Sequence, residues 1–364
     1  MALNCGIIGL TNTGKTTIFN CMSNTKAESS TYAFSATKSN KGIVEVPDPR
    51  LYKIDELIKS EKVIPATVEI VDVPGLAKGS SQGEGVGNKF LADIQQTDAL
   101  IHVLRCFDDD NLPHIEGSVD PARDLEIVDF ELQVRDLDLI ERKMERVKKL
   151  VSVGDVSAKR DLQILEVYKN HLENFGNART VPVEEDHRKV VHDLQLLTEK
   201  PVIYVCNVDD SSAVKGNEYF EQVKTALNDE GLDVIIIAGE LEAEISELDS
   251  TDRADFLEDA GLKEPGVNKL VRAAYHTLNL QSFFTAGPKE VRAWTIKKGM
   301  KAPEAAGVIH SDLERGFIRS EVMKYADFIE LGSEQAVKNA GKFHVEGKNY
   351  IVEDGDIMHI RFNV

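Results

Sequence analysis

The segment Gly9-Leu10-Thr11-Asn12-Thr13-Gly14-Lys15-Thr16 fits the pattern G-x-x-x-x-G-K-[ST], and no other stretch constrains the fold of this chain as strongly. A short apolar run, Cys5 to Ile8, leads into it, and residues from Thr16 to Cys21 can begin a helix. Strand, loop and helix in that order make a phosphate cradle. Glycines let backbone N–H groups close around phosphate oxygens, and the helix turns its positive N-terminus toward the same anion. Lys15 supplies a point charge to the terminal phosphates, in binding and in catalysis, and the Thr16 hydroxyl can join the octahedral shell of Mg²⁺. Asn12, Thr13, Gly14 and Thr17 complete the set expected around the phosphates.

Asp72-Val73-Pro74-Gly75 supplies the second half of such a site. It ends a β-branched run, 67–73, so its carboxylate stands at the tip of a buried strand, where it can hold Mg²⁺. Gly75 lets the backbone approach the γ-phosphate and swing away after hydrolysis. Many GTPases follow that glycine with a glutamine that orients the attacking water. Here the position holds Leu76, so another group positions the nucleophile or turnover is slow. Base recognition is expected after the strand 201–206, in Asn207-Val208-Asp209-Asp210. A guanine-reading loop has Asn-Lys-x-Asp; Asn207 and Asp210 fit, while Val208 replaces the lysine. That combination points to a purine nucleotide with altered or relaxed guanine specificity.

Further buried strands are expected at 99–104 and 233–238. Near-continuous apolar runs separated by helical stretches are the signature of a parallel sheet covered on both faces, an α/β fold. Between the strands 99–104 and 201–206 the pattern changes. Phe130, Val134, Leu137, Ile140, Met144, Val147 and Val151 recur three and four apart, and Leu162, Leu165, Leu172 and Phe175 continue the series. Two antiparallel amphipathic helices are the reading, with Lys143, Arg146, Lys148 and Lys149 near their turn. Whether this pair packs flat on the sheet or projects toward a partner is left open by the pattern. From about residue 279 short strands dominate: 283–286, 291–296, 317–322 and a hairpin over 349–362, with a helix at 303–309, an α+β module.

Composition limits the partners. With 364 residues, 42% of them hydrophobic, the chain can build two or three cores. Its formal charge of −19 argues against broad, charge-driven binding to nucleic acid, and no sequence-specific DNA binding is expected; a local basic patch stays open. No stretch reaches the roughly 20 apolar residues of a membrane helix and no secretory signal is present, so the expected compartment is the cytoplasm. Cys5, Cys21, Cys106 and Cys206 form no CxxC pair and read as small core residues.

Several separated segments resemble the YchF or Obg-like ATPases, over nearly the whole chain. They are Asn4-Cys5-Gly6-Ile7-Ile8-Gly9-Leu10, Val46-Pro47-Asp48-Pro49-Arg50, Gly83-Glu84-Gly85-Val86-Gly87-Asn88-Lys89-Phe90 and His102-Val103-Leu104-Arg105-Cys106-Phe107. Phe284-Thr285-Ala286-Gly287, Glu290 to Thr295, Gly316-Phe317-Ile318-Arg319 and Asp354-Gly355-Asp356 add to them. The resemblance implies a P-loop NTPase G domain of the Obg type, 1–120 and 201–278, interrupted by a helical hairpin, 121–200. A C-terminal β-grasp (TGS) domain, 279–364, follows. It further implies a nucleotide-dependent switch that prefers ATP to GTP and binds the ribosome or a ribosomal subunit. On its own His114 is an ordinary loop histidine; by resemblance it is the catalytic stand-in for the missing glutamine. Asn12, again by resemblance, is associated with K⁺. This chain departs from the family where Ala36 stands at a switch threonine, leaving Thr37 as the candidate Mg²⁺ ligand beside Thr16 and Asp72. Asp210 departs too, standing for Glu, the carboxylate length of guanine readers. The alternatives are therefore a GTPase of the same architecture and a non-catalytic nucleotide switch.

Overall fold

A computed structural model describes residues 3–23, 39–75, 86–227 and 234–363. Ala36, Thr37 and Leu76 lie outside them. Among the described residues the strands are β1 (Asn4–Ile8), β2 (Asn40–Glu45), β3 (Val63–Ile64), β4 (Thr67–Asp72), β5 (Ala99–Cys106), β6 (Val202–Val208) and β7 (Val234–Ile237). Then come β8 (Leu280–Ala286), β9 (Val291–Lys297), β10 (Phe317–Lys324), β11 (His344–Glu346) and β12 (Asp356–Phe362). They form two six-stranded sheets, ordered β2-β4-β1-β5-β6-β7 and β11-β10-β12-β8-β9-β3. Packing divides the chain into two units, 1–42 with 69–270, and 43–68 with 271–364.

In the first unit β4, β1, β5, β6 and β7 pair in parallel. All eight residues of β5 are buried, which explains why its sequence is an apolar run rather than an alternation. The helices of this unit include α1 (Lys15–Ser23), α3 (Val86–Gln95), α4 (Pro121–Ser152) and α5 (Val156–Glu173), while α2 (Pro49–Ile58) belongs to the second unit. The first part of α4 belongs to the sheet core: Val128 and Leu132 pack with Ile8, Phe90, Ile94 and Leu100. Beyond it Ile140, Met144 and Val147 turn to α5, meeting Leu165, Tyr168 and Leu172 in a separate core closed by Val191 and Leu196. The helical pair is thus anchored at its base and builds its own core outward. Phe130, the first residue of the three-and-four series, lies outside this core: its ring is 41% exposed and pairs with Phe175, at 6.2 Å between centroids. The buried positions of this half include polar side chains. Asp136, fully buried, accepts from Leu197 N, Thr198 N and Thr198 Oγ1, each at 2.7 Å. Its burial raises its pKa to about 6 against those bonds. A period search counts apolar residues and passes over a polar anchor of this kind.

The second unit differs from the expected boundaries. Residues 43–68, read as part of the G domain 1–120, pack with the C-terminal region instead. β3 pairs in parallel with β9, and Asp48 caps α2 by accepting from Arg50 N. Arg50 in turn forks onto Asp354. These contacts are non-local and leave no periodic trace in the sequence. The hairpin expected over 349–362 is also corrected. β12 pairs antiparallel with β10 and in parallel with β8, and Ile351 makes only an isolated bridge to Lys301. The turn at 353–356 is held by side chains: Asp356 Oδ2 accepts from Glu353 N at 2.9 Å and from Tyr350 Oη at 2.6 Å. Gly355, at φ +90°, supplies the left-handed residue.

Candidate nucleotide site

The loop between β1 and α1 takes backbone conformations that few residues tolerate. Gly9 has φ +144°, Asn12 +61° and Gly14 +89°. A Cβ on Gly9 would fall 2.4 Å from the Val103 carbonyl oxygen, and one on Gly14 would fall 2.1 Å from Asn207 Nδ2. Both glycines are therefore required by close approach as well as by angle. The Thr13 hydroxyl donates to the Leu10 carbonyl at 3.2 Å, while Thr17 is half-buried in the first turn of α1. Lys15 folds back over the loop, where its ammonium donates to the Leu10 carbonyl. Burial pulls its pKa down to about 8, opposed by the field of Asp72.

Asp72 stands at the end of β4, and the register Ile7 to Asp72 brings it beside the loop. Its Oδ2 accepts from the Thr16 hydroxyl at 3.0 Å. Burial raises the Asp72 pKa; Lys15, Thr16 and Asn40 oppose that rise. Among the described residues Oδ1 is buried without a hydrogen-bond partner. A buried, unsatisfied carboxylate oxygen beside a threonine hydroxyl suits a hard divalent cation, and a pair of protein oxygens is what Mg²⁺ takes when phosphates fill the rest of its shell. Gly75 closes in from the same strand end, where a Cβ would lie 2.7 Å from Thr11 Cγ2 and 2.9 Å from Thr11 Cα. Two of the three expected metal ligands, Thr16 and Asp72, are thus in contact.

The base-side loop is arranged differently from its reading in sequence. The Asn207 amide is buried; its Nδ2 donates to the Thr13 carbonyl at 3.0 Å and its Oδ1 accepts from Gly239 N at 2.9 Å. It spans two loops instead of projecting into open space. The Val208 side chain is packed in the core with Cys106 and Val223, so only its backbone faces the loop. Asp209 ties the turn by accepting from Ser212 N at 3.1 Å. Asp210, which starts the 3₁₀ turn Asp210–Ser212, is exposed and its carboxylate holds no bond among the described residues.

His114 sits in the loop that follows β5. Its side chain is 3% exposed, and both ring nitrogens are engaged: Nε2 lies 2.8 Å from Asp124 Oδ2, and Nδ1 accepts from Glu116 N at 3.1 Å. Those partners select the tautomer protonated at Nε2. Asp124 is 1% exposed and is also gripped by Arg123, Nη2 to Oδ1 at 2.8 Å. The loop meets the phosphate cradle through Asn12, whose Nδ2 donates to the Pro113 carbonyl at 3.0 Å. Arg105 holds its other side, donating to the carbonyls of Phe107 at 3.1 Å and Leu112 at 2.7 Å. Sequence reasoning named His114 and Asn12 but missed Arg105, Asp124 and Gly239. For Arg105 a signal existed, a cation inside an apolar strand; nothing local marks the other two.

The family model described as "50S ribosome-binding GTPase" matches residues 4–143, and YchF-GTPase_C, described as a protein of unknown function, matches 280–363. The "Ribosome-binding ATPase YchF" of Haemophilus ducreyi is 47% identical over 364 residues, covering 100% of both chains. That of Bacillus subtilis is 46% identical over 366 residues, again with full coverage of both. The solved structure of the Schizosaccharomyces pombe YchF GTPase superposes with a TM-score of 0.87 at 33% identity, over 99% of this chain and 98% of that one. A P-loop G domain with full-length likeness of this order places the chain: it belongs to the YchF family.

Proposed function

We propose that this chain hydrolyses nucleoside triphosphates, ATP in preference to GTP, and that its nucleotide state governs binding to the ribosome. The observation that carries the reading is the junction of Thr16 and Asp72, where a hydroxyl meets a buried carboxylate whose other oxygen has no partner among the described residues. Thr16 and Asp72 would hold Mg²⁺, with Thr37 as the further candidate, and the ion would neutralise charge on the phosphate oxygens. Lys15 binds the terminal phosphates and stabilises the charge that builds on them. Asn12, Thr13, Gly14 and Thr17 surround the phosphates, and Gly75 approaches the γ-phosphate. Asn207 shapes the base pocket from behind, the Val208 backbone lines it, and Asp210 offers an accessible carboxylate to the base edge. Replacement of the guanine-reading lysine by Val208 supports ATP, and the relatives' printed name, ribosome-binding ATPase, supports both ATP and the ribosome. K⁺ beside Asn12 belongs to the same proposal. A ribosomal partner supports the cytoplasm as its compartment. Among the described residues no helix is long and apolar enough to cross a membrane.

The test is a matched titration of ATP and GTP, affinity and turnover, in Mg²⁺ with and without K⁺. Preference for GTP by tenfold or more would replace the ATP reading with a GTPase of this architecture. One observation favours a second reading, a non-catalytic switch: both His114 nitrogens are occupied, so the ring must leave Asp124 or Glu116 before it can orient water. Single-turnover hydrolysis no faster than that of Lys15→Ala would establish it.

A further inference from the structure

The α4–α5 arm ends in a surface that the nucleotide site does not use. Its turn carries Leu150, Val153 and Val156 at 50%, 81% and 84% exposure. Around them stand Lys148 and Lys149 near the end of α4 and Lys159 and Arg160 near the start of α5, all exposed and none in an ion pair among the described residues. Lower on the arm Lys143 pairs with Asp193, and Lys169 with Glu141 at 2.6 Å. Asp155, between the two helices, keeps its charge and caps α5, accepting from Ser157 N at 2.9 Å and Ala158 N at 3.1 Å.

Cations at the end of α4 complement the helix dipole and would need no partner to explain them. Lys159 and Arg160 do not fit that account, because cations near a helix N-terminus oppose the dipole. Position matters too. From Leu132, the last α4 residue in the sheet core, to Ser152 the helix rises about 30 Å. That is more than three Debye lengths at physiological ionic strength, about 8 Å each, so the acidic body of a chain with net charge −19 is screened from the tip.

We propose that this tip docks on RNA, its four cations on backbone phosphates and its two valines on the ribose face of a shallow minor groove. The groove suits the combination: A-form RNA presents phosphates on either side of a wide surface that is read by shape. The proposal rests on the ribosome reading above and names the surface that would carry it.

The experiment uses the full chain, purified ribosomes and, separately, protein-free ribosomal RNA, titrated across KCl concentrations. Two variants are compared with wild type: Lys148→Ala/Lys149→Ala/Lys159→Ala/Arg160→Ala, and Val153→Ser/Val156→Ser. Removal of four phosphate contacts should flatten the plot of log K against log salt by about 3 and weaken binding at least tenfold at moderate salt. The valine pair should weaken binding several-fold with the slope unchanged. ATP affinity and hydrolysis should stay at wild-type values in both. Wild-type affinity and slope in the four-cation variant would overturn the proposal. So would binding to phosphatidylglycerol vesicles with none to RNA. If wild type binds protein-free RNA through the tip but no ribosome in any nucleotide state, the ribosome reading falls and the tip assignment stands.

Discussion

Asn207 Nδ2 donates to the Thr13 carbonyl at 3.0 Å across 194 residues, and the same amide accepts from Gly239 N through Oδ1. One side chain therefore fixes the distance between the phosphate loop and the two loops on the base side. Gly14 leaves the room for it, since a Cβ there would meet Nδ2 at 2.1 Å.

Asn207→Ala leaves the Thr13 carbonyl and the Gly239 N–H buried and unpaired, a cost of about 2–4 kcal/mol for the two groups. Affinity should fall more than tenfold for ATP and GTP alike, because the loops lose their spacing. Isothermal titration with both nucleotides checks this. A loss confined to one base would mean that Asn207 reads the base directly.

Lys15 gives a pH signature. Its pKa is drawn down to about 8 in the free protein, and a bound triphosphate restores the charged form, so binding takes up protons above that value. ATP affinity should be steady near neutrality and fall as pH rises through about 8, approaching tenfold per unit. Calorimetry in buffers of different ionisation heat should show uptake of up to one proton. Lys15→Arg stays cationic and should bind without that dependence. An affinity flat well into the alkaline range in wild type would contradict the assignment.

His114→Ala should lower single-turnover hydrolysis at least tenfold while ATP affinity changes less than twofold. The size follows from the loss of a group that orients or deprotonates water, worth about 10²–10⁴ when fully engaged. Unchanged turnover would remove the histidine from the mechanism. Asp124→Ala removes the acceptor of the Nε2–H, freeing that ring nitrogen, and should alter turnover without altering affinity.

In the second unit Arg50 donates from Nη1 to Asp354 Oδ2 at 2.8 Å and from Nη2 to Asp354 Oδ1 at 3.1 Å. The guanidinium is 27% exposed and the carboxylate 48%, so screening trims the fork to about 1 kcal/mol. Asp354→Ala also strips the Ser282 N–H of its acceptor, and we expect a total loss of about 2 kcal/mol. Urea unfolding followed through Trp294, which lies on β9 of this unit, reads it. A transition unmoved by the substitution would show the fork to be incidental.

The chain announced its phosphate loop, its buried parallel strands and the helical pair through local pattern. Gly-x-x-x-x-Gly-Lys-Thr encodes a turn that few other residues can make, and apolar runs encode burial, so each is legible from neighbours in sequence. Which groups Asn207 and His114 bond was decided by tertiary structure. The first reads as a base contact until the Thr13 carbonyl and Gly239 appear beside it, and the second as a free imidazole until Asp124 and Glu116 N close on both nitrogens. The same holds for residues 43–68, drawn into the C-terminal sheet by β3 and Arg50, and for the 349–362 segment, which pairs outward to β10 and β8 instead of with itself. Hydrogen bonds and ion pairs between residues that are distant along the chain carry no periodicity. Only the folded backbone brings their atoms within 3 Å.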